Sequence, residues 1–294
     1  MEIFGIPSQA LFGQLLIGLI NGSFYALLSL GLAVIFGLLN IINFTHGAQY
    51  MLGAFCAYLL LNKLGIGYWW SLALAPIIVG LTGVAIERTM LSKLYKLDHL
   101  YGLLLTFGLA LIIQGLFRNE FGSSGLPYRI PQELQGAQNL GFMFLPNYRA
   151  WVIVVSLVVC LATWYVIERT KLGAYLRAAT ENPQLVQAFG INVPRMITLT
   201  YGFGVALAAF AGVMAAPIYQ VNPLMGADLI IVVFAVVVIG GMGSIMGAIV
   251  TGFGLGIIEG LTKVFYPEAS NTVIFIIMAI VLMFKPAGLF GTQK

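Results

Sequence analysis

The chain has 294 residues, 60% of them hydrophobic and only 8% charged, with 14 Lys and Arg against 10 Asp and Glu. A soluble domain carries about 25% charged residues, and a fold of this size could not cover itself with so few, so most of its surface faces lipid. The net charge of +4 does not point to nucleic acid, because the basic residues are spread through short connections between apolar runs.

The opening MEIFGIPSQALFGQ has no Lys or Arg ahead of the first apolar run, so it reads as a retained helix rather than a cleaved leader. Apolar segments follow near 10–29, 30–44, 47–62, 71–90, 101–118, 150–168, 196–217, 228–242, 246–265 and 271–285. Continuous runs rather than alternation argue against a barrel, and open sheet edges cannot stand in lipid. The expected fold is all-α and polytopic: a helical bundle of about 8–10 membrane segments, some broken because they are too short to span alone. A single transmembrane domain over 1–294 is expected.

The first break is NIINFTHGAQYMLGAF, residues 40–55. Asn40, Asn43, His46 and Gln49 recur at roughly one helical turn and would share a face if the helix continued. Asn43 or Thr45 could instead cap a helix beginning at Gly47. His46 has no second His, Cys or HExxH pattern nearby, so no metal site is expected. Nor is there a nucleophile or paired carboxylate to make it catalytic. These side chains are expected to line a path, with no catalytic residues. Cys56 and Cys160, inside apolar runs, read as small core hydrophobes.

Orientation follows from Lys and Arg in the connections. Arg88, Lys93 and Lys96 mark 88–99 as cytoplasmic; Arg169, Lys171, Arg177 and Arg195 do the same for 168–195, and Lys285 and Lys294 for the C-terminal end. The Gly-, Pro- and Gln-rich loop 119–149 then lies on the opposite, extracytoplasmic side. Within 168–195, an Ala-rich helical stretch around Arg177–Ala179 precedes a second short helix. That one starts at Asn182-Pro183, runs to Phe189 and ends at Gly190. Leu185, Val186 and Phe189 would give it one apolar stripe, suited to a lipid interface or a docking surface.

The second break is IGGMGSIMG, with Gly240, Gly241 and Gly243 crowded together. Exposed backbone at such a break could bind a polar solute without charged side chains. Gly243 and Gly247, and then Gly252, Gly256 and Gly260, recur every four residues, a spacing that lets membrane helices approach closely. Glu259 and Lys263 stand at i and i+4 near a helix end, which favours a structural pair over a proton relay. The two breaks in corresponding positions point to an internal duplication of the kind found in transporters. No G-x-x-x-x-G-K-[ST] occurs, so the chain has no phosphate-cradling loop of its own.

The run NGSFYALLSLGLAVIFGLLNIINFTHGAQYMLGAF, then LGAYLRAATENPQLVQAFGIN, then VVIGGMGSIMGAIVTG and a closing KPAGLFG resemble the permease subunits of branched-chain amino acid ABC importers, of the LivH kind. The similarity extends from about residue 10 to 290. It implies a multi-pass protein of the bacterial inner (cytoplasmic) membrane. Its implied partners are a homologous second permease subunit or a second copy, two cytoplasmic ABC ATPases, a soluble solute-binding protein and membrane lipid. No cofactor is expected on this chain; ATP is used by the partner subunits. The resemblance also implies that RAATENPQLVQAFGIN docks on the ATPase, which falls here on Arg177, Ala178, Glu181, Asn182, Ala188, Gly190, Ile191 and Asn192. Similar permeases carry urea or short amides, so those substrates stay open. The few intramembrane charges suit small zwitterions or neutral solutes. An ion-coupled secondary transporter or channel is the other class that broken helices allow.

Overall fold

A computed structural model describes residues 2–3, 6–39, 43–95, 97–141 and 143–291. The helices are α1 (Ser8–Leu39), α2 (Thr45–Leu64), α3 (Tyr68–Thr89), α4 (His99–Phe121), α5 (Asn147–Arg169), α6 (Lys171–Glu181), α7 (Pro183–Ala188), α8 (Val193–Tyr219), α9 (Ala227–Gly240), α10 (Ile245–Phe265) and α11 (Val273–Phe284). Among the described residues, six helices are long and apolar enough to cross a membrane: α1, α3, α4, α5, α8 and α10. Two shorter apolar helices, α9 and α11, accompany them. The chain is an all-α polytopic membrane protein. The loop between α4 and α5 carries a small antiparallel hairpin, Ala137–Asn139 against Phe144–Pro146.

The boundary expected between 10–29 and 30–44 is absent: α1 runs unbroken over Ser8–Leu39. Gly31 does not interrupt it, because this glycine is a contact and not a hinge: a Cβ there would lie 2.7 Å from the Gly204 carbonyl oxygen. Helix ends follow local chemistry. Gly65, at φ +65°, closes α2 by donating from its amide to Leu61, while the Ile66 amide reaches Leu60.

The chain divides into two compact units. The first comprises residues 1–29, 130–161 and 232–294. Its α1 and α10 meet through glycines: a Cβ on Gly18 or on Gly256 would fall 2.4 Å from the other's carbonyl oxygen, and one on Gly252 would strike the Ala26 backbone at 2.6 Å. Gly252, Gly256 and Gly260 thus form the expected packing face. Gly243 does not share a helix face with Gly247. It lies in the break itself at φ +83°, and Gly247 packs on the Gly240 carbonyl.

That second break is covered by the C-terminal segment. The amides of Leu289 and Phe290 donate to the carbonyls of Ile239 and Gly240 at 2.8 and 3.1 Å. Gly241, at φ +102°, has room for no side chain, because the Gly291 amide is 2.5 Å from where its Cβ would stand. Ser244 opens α10 by accepting from the Gly247 amide at 3.1 Å.

The second unit comprises residues 30–129 and 162–231. Here α8 is the central helix, packed against α2 and α3, with α4 beside α2. Small residues again allow close approach: Gly53 sits on Ala209, Gly212 on the Tyr50 carbonyl, and Gly83 on Val205. Ile35, Val79, Leu91, Tyr201, Val205 and Ala209 form a buried apolar cluster.

Candidate functional site

The first break places its polar side chains inside the second unit. Asn43, Thr45, His46 and Gln49 are all buried. The helix after the break starts at Thr45, two residues earlier than Gly47, so His46 and Gln49 lie within α2 and Gly47 does not break it. Neither Asn43 nor Thr45 caps this helix. The Asn43 carboxamide is engaged elsewhere, accepting from the Thr45 hydroxyl and donating to Gln49 Oε1 at 3.4 Å. Asn40 lies outside the described residues. Gly47 instead admits the Gly226 carbonyl oxygen, which would be 2.4 Å from a Cβ.

Tyr201 on α8 completes this cluster. Its hydroxyl faces Gln49, Thr45 and Asn43. Among the described residues, neither that hydroxyl nor Gln49 Nε2 closes a hydrogen bond of good geometry, although both are buried. Leaving such a group unsatisfied costs about 1–3 kcal/mol. Gly240, Gly241 and Gly243 lie in the first unit, where the Gly240 carbonyl is already taken by the C-terminal segment. Among the described residues, no three His, Cys, Asp or Glu side chains gather as a metal ion requires.

The connection between α5 and α8 folds as the sequence leads one to expect. Asn182 caps α7 by accepting from the Leu185 amide at 3.0 Å, Pro183 occupies the first turn, and Gly190, at φ +83°, follows its end. Asn192 caps α8 in the same way through the Arg195 amide. The Arg177 guanidinium donates to the Ile167 carbonyl at 3.1 Å and to the Glu168 carboxylate at 3.3 Å, tying α6 back to the end of α5. Gly173 makes that return possible, since a Cβ there would overlap the Ile167 carbonyl.

The result is a helical hook with two faces. Ala179, Val186 and Val193 form its inner cluster, with Ile191 packed against them. The expected stripe of Leu185, Val186 and Phe189 is therefore split: Val186 turns inward, while Leu185 and Phe189 are 54% and 77% exposed. Arg177, Ala178, Glu181, Asn182, Ala188, Gly190 and Asn192 are exposed around them.

A buried carboxylate adjoins this hook that the loop's charge pattern did not single out. Glu87, in the last turn of α3, accepts from the Tyr95 hydroxyl at 2.6 Å and the Thr198 hydroxyl at 2.7 Å. Burial, and then Glu87 itself, push the Tyr95 phenol well above its ordinary range, so it remains a donor. The available signal was an acid inside an apolar helix, with a tyrosine eight residues later.

Membrane-length helices, interrupted helices with a buried polar cluster, and an exposed helical hook together define a polytopic membrane protein of the transport class. Residues 14–282 match the family described as "Branched-chain amino acid transport system / permease component", and the chain belongs to that family. It is 30% identical over 296 residues to the high-affinity branched-chain amino acid transport permease LivH of Escherichia coli K12, covering 96% of each chain. It is 31% identical over 294 residues to the corresponding permease BraD of Pseudomonas aeruginosa PAO1, again covering 96% of each. The LivM permease of the E. coli system is 27% identical over 297 residues, or 92% of this chain and 68% of that one. No solved structure matches the chain.

Proposed function

We propose that this chain is the permease subunit of an ATP-driven importer for branched-chain or other small neutral and hydrophobic amino acids in the bacterial cytoplasmic membrane. Two ATPases, a second permease of the LivM kind or a second copy, and a soluble binding protein complete it. The observation that carries this reading is the hook: an apolar pair, Leu185 and Phe189, held out among exposed polar and small residues in a connection whose Lys and Arg predict a cytoplasmic side. Such an exposed, pre-shaped patch is a docking surface, and its partner here is the ATPase that this chain lacks.

The solute path runs past Asn43, His46 and Gln49, which are buried together in the second unit. The buried, unmet Gln49 amide and Tyr201 hydroxyl support this. A passing polar solute or water would meet groups that the resting protein leaves wanting.

The test is uptake of labelled leucine by the assembled transporter. Phe189→Glu and Gly190→Pro should each abolish uptake while the chain still inserts in the membrane. Normal uptake in both would refute the docking role. Uptake of labelled urea or a short amide, without uptake of leucine, would move the assignment to the related substrate class. Flux by the chain alone, driven by an ion gradient, would move it to a secondary transporter.

A further inference from the structure

Glu87 is 2% exposed, and among the described residues no Lys or Arg forms an ion pair with it. A carboxylate without a counter-ion at the end of a membrane helix is costly unless strong donors hold it. Its two donors are hydroxyls at charge-assisted distances, and they come from different parts of the chain. Tyr95 belongs to the connection between α3 and α4. Thr198 lies in the second turn of α8, the helix that Asn192 starts directly after the hook.

Displacement of the hook therefore reaches Glu87 within about two helical turns. One turn beyond Thr198, Tyr201 lies within electrostatic reach of Glu87 and faces the Asn43, Thr45 and Gln49 side chains of the first break. The joint is not packed solid. Beside it is a cavity of about 320 Å³ lined by Glu87, Arg88, Tyr95, Arg195 and Thr198 among others. Packed interiors do not deform continuously, whereas an open pocket next to a hydrogen-bonded carboxylate leaves room for its donors to part.

We propose that Glu87 is a positioning residue that couples the ATPase-docking hook to the polar break, by holding α8 through Thr198 and the 90–98 connection through Tyr95 on the end of α3. This rests on the importer reading above. A contact of purely structural value would change how much transporter is made, not how ATP use is linked to uptake.

The deciding quantity is the number of ATP molecules hydrolysed per leucine imported by the complete transporter in proteoliposomes. Uptake by the wild-type assembly tests the importer reading separately: with none, that reading fails whatever Glu87 does. Given wild-type uptake, Glu87→Gln should raise the ratio about fivefold or more, the low end of coupling between sites. Tyr95→Phe and Thr198→Val should raise it as well, and Thr198→Ser, which keeps the hydroxyl, should restore it. A wild-type ratio in both Tyr95→Phe and Thr198→Val overturns the proposal, even if Glu87→Gln fails to assemble. A fall in uptake matched by an equal fall in ATP hydrolysis overturns it too.

Discussion

Glu259 in α10 shares its carboxylate among Lys263 one turn on and the Asn21 amide and Tyr25 hydroxyl of α1, at 3.2 and 2.6 Å. The pair with Lys263 was legible in the sequence, because i and i+4 are neighbours on any helix. The α1 partners were not, since they lie 238 and 234 residues away and only packing brings them near. Glu87 was missed for a related reason. Arg88 and Lys93 made its segment read as a basic loop, and a loop's charge says nothing about which side chain turns inward. Lys263→Met should destabilise the protein by about 3 kcal/mol, since it leaves a buried carboxylate without its counter-ion. The double variant Glu259→Gln/Lys263→Met should recover most of that loss. Thermal unfolding in detergent, compared across the single and double variants, checks both.

At the scale of elements, what was legible was what local chemistry decides. Asn182, Pro183, Gly190 and Asn192 each act within three residues of themselves, and the hook forms where they place it. The first break read less well because Asn43 is drawn to Thr45 and Gln49 rather than to a backbone amide. The boundary expected between 10–29 and 30–44 also misled, since α1 runs unbroken through it and Gly31 there admits a neighbouring helix. The glycine stripe of α10 tests that kind of contact. Gly256→Leu should prevent α1 from seating and lower the melting temperature sharply. Gly254→Leu, whose Cβ would meet nothing within 4 Å, should be tolerated. Loss of stability at both positions, or at neither, would mean that the stripe does not carry the contact.

Taken as a whole, the molecule interleaves its chain: the first unit draws on three stretches of sequence and the second on two. Composition announced a membrane bundle, but no periodicity could announce this interleaving. The charge pattern does predict sidedness. A cysteine placed at Gln135 in the α4–α5 loop should react with an impermeant maleimide added to intact cells. One placed at Gln187 in the hook should react only after the membrane is opened. The reverse result would invert the topology. The cover over the second break also dictates an order of events. The carbonyls of Ile239 and Gly240 are answered by the amides of Leu289 and Phe290, each fifty positions later, with α10 and α11 synthesised in between. As the chain emerges, α9 is therefore made before the amides that answer the end of its backbone. Water or the insertion machinery has to hold that end until the segment after α11 is made. The second break is thus among the last parts of the protein to mature.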